Sequence, residues 1–250
     1  MSDAPVLRVP AGAAAGEPEV SIVVPALDEE ATIGTFVRWC HEGLSAAGAN
    51  GEILIVDSSS DRTAEYALAE GARVLQTPRR GLGRAYIDAI PFVRGRYVIM
   101  GDCDCTYDFR VLAPFLNALH GGAEFVLGSR FAGGIEPGAM PRLHRLFGIP
   151  VTTWLLNALH GSDFADIHCG MRAMTRDALV RMHLSSQGWE YASEMVVKAV
   201  RLRLRRAQVP VRYLKAPGGR RSHHARRGWL SPWLAGIANV RVMLDRPGSP

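Results

Sequence analysis

Residues 98–109 read VIMGDCDCTYDF, an apolar run that ends in Asp102 and Asp104, with Asp108 close behind. Carboxylates clustered at the end of a buried strand repel one another, and desolvation penalises each of them. A D-x-D pair is relieved by a hard divalent cation bound through its oxygens. In such a site Mg²⁺ or Mn²⁺ bridges the protein to substrate phosphates. Asp102, Asp104 and Asp108 are therefore the candidate metal ligands. Arg130 ends the stretch AEFVLGSR and supplies a charge-assisted clamp for an anion. Acidic pair and arginine together suit a reaction in which a diphosphate leaves and its developing charge is neutralised. A zinc site from Cys103, Cys105, His168 and Cys169 matches no standard spacing, so free thiols are the better reading.

The elements that must position these groups alternate. VSIVVPAL (20–27), EILIVD (52–57), ARVLQT, RYVIMGD (96–102) and AEFVLGSR are short apolar runs that read as strands. Between them lie helical patterns: Ile33, Phe36, Val37, Cys40 and Leu44 in the first, then a stretch capped by Asp61 and stopped by Gly71. LGRAYIDAIPFV is a third, with Pro91 breaking its end, and VLAPFLNALHGG a fourth. Strand–helix alternation predicts an α/β fold with a mostly parallel central sheet flanked by helices. Ligands bind such sheets beyond the carboxyl ends of the strands. Those ends carry Pro25 to Glu30, Asp57 to Ser60, Asp102 to Asp108, and Ser129–Arg130. After Arg130 comes a Gly/Pro-rich loop, then a helical pattern over 143–160. WEYASEMVVKAVRLRL follows as an amphipathic helix carrying Glu190 and Glu194.

The 250 residues are 48% hydrophobic and 21% charged, with a net charge of +5. No run reaches the ~20 apolar residues of a membrane span. Basic residues concentrate between Lys198 and Arg227, which points to an anionic partner. A nucleic-acid-binding module would explain that charge and leave the D-x-D pair unexplained, so no nucleic-acid partner is expected. A nucleotidyltransferase would place a glycine-rich basic loop after the first strand, where this chain has PALDEE.

Six segments occur in a telling order: IVVPALDEE, ILIVDSSSDRTAE, PRRGLGRA, DCDCTYD, LGSRF and DIHCGMRAM. In that order they resemble glycosyltransferase family 2, which has the GT-A fold. The likeness is greatest to its dolichyl-phosphate mannose synthase and polyprenyl-phosphate glycosyltransferase group, over roughly residues 20–215. The resemblance implies an inverting, metal-dependent hexosyltransferase that uses a UDP- or GDP-sugar. Pro25, Ala26, Asp28 and Glu30 match the segment lining the nucleoside, and Asp57 the aspartate at the base. Asp102 meets ribose or metal, and Asp104 is the better metal ligand. Arg130 matches an arginine facing acceptor or diphosphate. Asp166 and Arg172 match a segment beside sugar and acceptor, and Arg220 and Arg221 a basic loop over the diphosphate. Two positions depart from the family: Asp57 is followed by Ser58-Ser59-Ser60 rather than a second aspartate, and Thr106 stands where a glutamine is common.

A hydroxyl acceptor needs a carboxylate base, for which Asp166 is the first candidate and Glu194 the second. An ionised polyprenyl phosphate needs none, and it is the expected acceptor. A soluble oligosaccharide or natural product, or non-catalytic sugar-nucleotide binding, is the alternative. The expected organisation is a flexible leader (1–19), a nucleotide-sugar half (20–130), an acceptor half (131–228) and a C-terminal amphipathic helix (229–250). In the last, Trp229, Leu230, Trp233, Leu234 and Ile237 form a stripe suited to peripheral membrane contact on the cytoplasmic side.

Overall fold

The apolar runs that end in polar clusters are strands, and they assemble into one sheet. The computed structural model describes residues 4–11, 16–217, 239 and 241–244. In chain order the first half comprises β1 (Val6–Arg8), β2 (Val20–Ala26), α1 (Ile33–Ala46), β3 (Gly51–Asp57), α2 (Thr63–Ala69), β4 (Arg73–Gln76), α3 (Leu82–Ala89) and β5 (Tyr97–Met100). The second comprises α4 (Ala113–His120), β6 (Phe125–Ser129), α5 (Arg130–Gly133), α6 (Ile149–His160), β7 (Arg172–Thr175), α7 (Arg176–Arg181), α8 (Tyr191–Arg201) and β8 (Arg206–Pro210). A 3₁₀ turn at Ile90–Phe92 holds Pro91 and ends α3, and a π-helical turn at His144–Gly148 leads into α6.

Among the described residues the sheet order is β1-β4-β3-β2-β5-β7-β6-β8. β2 pairs in parallel with β3 and β5, β3 with β4, and β6 with β8. β7 runs antiparallel to both β5 and β6. Two reversals cancel, so β6 points the same way as β5. The carboxyl ends of β2, β3, β5 and β6 therefore share one rim, and the loop entering β7 joins them there. The central strands are buried almost without exception, as sheets covered by helices on both faces require.

Two expectations change. Residues 6–8 are not a free leader: β1 pairs with β4 and closes an edge that would otherwise expose unpaired backbone. A strand absent from the expected pattern also appears: Arg172, placed in a loop segment by resemblance, opens β7. Near the C-terminus, Ser193 donates to Asn239 Oδ1 at 2.6 Å, and His160 Nε2 lies 2.9 Å from the Met243 carbonyl. These contacts fasten the described terminal residues to α8 and α6. Trp229, Leu230, Trp233, Leu234 and Ile237 lie outside the described residues.

Gly43 shows how tightly α1 seats the acidic loop. A Cβ there would lie 2.0 Å from the Phe109 carbonyl oxygen. Alanine gains about 1 kcal/mol in helix propensity over glycine. Overlap with backbone outweighs that gain, so Gly43→Ala is expected to destabilise the fold by about 1–3 kcal/mol in urea unfolding.

Candidate active site

The acidic loop leaves β5 and is held from several sides. Thr106 donates to Asp104 Oδ1 through its amide at 3.0 Å and its hydroxyl at 2.6 Å, closing an Asx-type turn. Cys105 takes a φ of 60° within that turn. Tyr107, fully buried, accepts from the Gly170 amide at 2.8 Å. Leu214 donates to the Thr106 carbonyl at 2.8 Å, and the Tyr107 and Tyr213 rings meet edge-on at 5.2 Å. A Cβ at Gly170 would lie 2.6 Å from Asp102 Oδ2, so the loop entering β7 must be bare there.

Electrostatics mark the same place. Burial pushes the Asp102 carboxyl up to about 7, and Asp104 and Glu29 add to the rise. Arg130 and Arg172 oppose it. Tyr213 is pushed up to about 12 by burial and then by Asp102 and Asp104. The sequence reading missed Glu29, a buried carboxylate that accepts from the Thr32 hydroxyl at 2.7 Å. It also missed Tyr107, Gly170 and Tyr213, whose only sequence signal is adjacency to the acidic motif, the CGMR segment and the basic stretch.

Asp102 and Asp104 fit a hard cation: two carboxylates side by side, one of them driven toward its neutral form first by burial and then by the other's charge. Asp108 does not join them. Arg110 grips it with Nε at 2.7 Å and Nη2 at 2.9 Å, and this pairing, more than burial, holds its carboxyl below the usual range. Among the described residues no three His, Cys, Asp or Glu side chains converge as metal ligands. The four cysteines are buried free thiols; Cys103 donates to the Pro25 carbonyl at 3.3 Å.

The first two loops interlock. Asp28, at a φ of 54°, accepts from the Ser60 amide at 2.9 Å and donates its own amide to Ser59 Oγ at 2.8 Å. Glu30 donates its amide to Asp61 Oδ2 at 3.2 Å. Asp57, next to Ala26 in register, accepts from the Ser59 amide at 3.2 Å, and burial raises its carboxyl. Pro25 and Ala26 end β2 directly above these loops, so five of the expected nucleoside-binding residues share one rim.

Both candidate bases are corrected. Asp166 is fully buried, and its oxygens accept from Arg130 Nε and Nη2, each at 2.7 Å, and from the Arg130 amide at 3.1 Å. It orients Arg130, whose guanidinium lies 5.3 Å from the centre of the Tyr213 ring. Glu194 accepts from the Ser185 amide at 3.0 Å and the Ser186 amide at 2.8 Å, with Lys198 Nζ at 2.7 Å. Burial raises its carboxyl, but these donors outweigh it and leave it below the usual range. Its task is to hold the loop before α8. Arg172 is corrected too: its guanidinium binds the Cys169 carbonyl at 2.6 Å and the Ala192 carbonyl at 3.0 Å, beneath the rim rather than on it. Its charge reaches Asp102; its hydrogen bonds do not leave the protein interior. Nearby, Tyr191 stacks on Tyr86 at 5.2 Å, and its hydroxyl is the one buried side-chain polar atom among the described residues without a partner. Arg220 and Arg221 lie outside the described residues.

The model of the family described as Glycosyl transferase family 2 matches residues 21–182. A low-salt glycan biosynthesis hexosyltransferase, Agl6, of Haloferax volcanii is 41% identical over 92% of this chain, which spans 54% of that protein's length. A dolichyl-phosphate hexose transferase of the same organism is 30% identical, covering 80% of this chain and 85% of its own. Among solved structures, glucosyl-3-phosphoglycerate synthase from Mycobacterium tuberculosis, crystallised with Mn²⁺ and UDP-glucose, superposes with a TM-score of 0.68. It is 24% identical and covers 93% of this chain and 81% of its own, a likeness of GT-A fold.

The Arg130–Asp166 pair makes a stability forecast. Removing one partner strands a buried charge, which costs about 3–5 kcal/mol. Arg130→Ala and Asp166→Ala are each expected to lose that much in chemical denaturation. The double variant should lose clearly less than the sum; strict additivity would mean the two are not coupled.

Proposed function

This chain belongs to glycosyl transferase family 2, and from that premise we propose that it moves a hexose from a nucleoside diphosphate sugar to a polyprenyl phosphate, inverting the anomeric carbon. The observation that carries the acceptor is the engagement of both candidate bases. Asp166 is locked by Arg130, and Glu194 by Lys198 and two amides. A hydroxyl nucleophile must surrender a proton to such a base, whereas an ionised phosphate attacks without one. The dolichyl-phosphate specificity in one relative's name supports the same reading. The M. tuberculosis enzyme's name, with its phosphoglycerate, favours a small soluble acceptor as the second reading.

The donor's nucleoside lies against Pro25, Ala26, Asp28, Glu30 and Asp57 on the interlocked loops. Its diphosphate reaches the Asp102–Asp104 pair. A divalent ion, Mg²⁺ or Mn²⁺, bound there supplies charge neutralisation for the departing diphosphate. Asp102 and Asp104 would hold that ion through their carboxylate oxygens. An acceptor phosphate oxygen attacks the anomeric carbon from the opposite face. The bond to the diphosphate oxygen breaks, and the nucleoside diphosphate carries away the electron pair. No proton changes hands. Arg130, fixed by Asp166 and leaning on Tyr213, is placed to steady phosphate charge near the reacting centre. Among the described residues no helix is long and apolar enough to cross a membrane.

Nucleoside diphosphate release is the test, run with Mn²⁺ against UDP- and GDP-sugars, each with polyprenyl phosphate, with 3-phosphoglycerate and with water alone. Turnover confined to the polyprenyl phosphate arm is expected; turnover confined to phosphoglycerate would replace the acceptor. In the productive arm, Asp104→Asn is expected to lower kcat/KM on the order of 100-fold or more while the melting temperature stays put.

A further inference from the structure

Among the described residues the most exposed large apolar side chains cluster on the π-helical turn at 144–148, its approach and α6. Leu143, Leu146, Phe147, Val151 and Trp154 each leave 56–71% of their surface uncovered. The helix is apolar on two sides. Ile149, Thr153 and Leu156, spaced four and three apart, form the buried face. Phe147, Val151, Trp154 and Ala158 repeat the same spacing on the outward side. A run of neighbouring exposed apolar side chains of this kind marks a docking surface.

We propose that this outward face docks on an anionic lipid surface. Charge selects that occupant. From 137 to 162 the chain holds no Asp or Glu, while Arg142, His144 and Arg145 sit exposed among the apolar side chains. Basic residues beside Trp, Phe and Leu describe an interfacial helix, lying in the headgroup plane. At twelve residues α6 is ~18 Å long and too short for a ~30 Å hydrocarbon core. A second copy of this chain is a poorer occupant, because burying the face against itself would enclose Arg142 and Arg145 of both copies with no carboxylate from 137–162 to pair them.

The buried face of α6 explains why the position matters. Thr152 Oγ1 lies 2.9 Å from His168 Nε2, and Asn157 donates to the Phe164 carbonyl at 2.8 Å. Burial and Arg130 drive His168 down to about 4, so it stays neutral at the contact. The helix facing the lipid is thus bonded to the 164–168 segment that carries Asp166. The contact expected from the sequence at Trp229–Ile237 lies outside the described residues, and the face at 143–154 is a separate one. The inference goes beyond the glycosyl-transfer reading and is testable without it.

The full chain is sedimented with vesicles of phosphatidylcholine alone or with added phosphatidylglycerol, with neither sugar nucleotide nor polyprenyl phosphate present. Binding to the anionic vesicles is expected, weakening with salt. Phe147→Glu/Trp154→Glu should reduce it on the order of 10- to 100-fold, and Arg142→Ala/Arg145→Ala should flatten its salt dependence. Both side-chain pairs are exposed, so thermal melts should match the parent; Val151→Glu provides a second apolar probe should the first pair misfold. Undiminished binding by both apolar variants overturns the proposal. So does a parent dimer that Phe147→Glu/Trp154→Glu turns into monomer with no vesicle binding by either. Donor and acceptor are absent, so these results leave the transfer reaction to its own assay.

Discussion

Crowded negative charge at one end of the sheet is the constraint from which the rest follows. Asp102, Asp104 and Glu29 crowd together where solvent is scarce, and burial lifts Asp102 toward neutrality. Two buried arginines offset the crowding from beneath. Each needs its own partners, since a guanidinium out of water without hydrogen bonds is far costlier than the carboxylates it serves. Arg130 takes both oxygens of Asp166, and Arg172 takes two backbone carbonyls. The protein supplies enough positive charge to make the pair tolerable and leaves it short of balance. Under the proposed transfer reaction, a cation arriving with the donor diphosphate would supply the remaining positive charge.

That division of labour separates carboxylates that face chemistry from those that face the protein. Asp166 and Glu194 look alike in sequence and serve alike in structure, each gathering donors from a neighbouring segment. Asp108 has a similar fate through Arg110. Asp102 and Asp104 differ because no cationic side chain is bonded to either: Asp104 takes only the Thr106 amide and hydroxyl, and the arginine charge acts on Asp102 from a distance. Burial alone does not sort these groups; the identity of the nearest donor does.

The succession of strands from β2 to β6 was legible because short β-branched runs alternate with helical periodicity and Pro91 marks a break. The strand-end rule then located the rim from four polar clusters. β7 escaped notice because four residues opening on an arginine carry no apolar signature, and its reversed direction is set by pairing on both sides. β1 escaped because three largely exposed residues gain their order only from the edge they cover. The roles of Asp166 and Glu194 were misread for a deeper reason. A sequence shows which groups are able to take a proton; it does not show that Arg130, thirty-six residues away, has already filled one of them.

Arg172 has one more role, as a measuring point. In register it faces Met100 on one side and Leu127 on the other. Asp102 stands two residues beyond the first, and Arg130 three beyond the second. One residue of a reversed strand thereby synchronises two halves of the rim. An inserted residue within β7 would throw both out of step at once and turn its side chains to the opposite face. The connection between α7 and α8 lies outside that ruler: its amides bind Glu194, and its length does not set the spacing between Asp102 and Arg130.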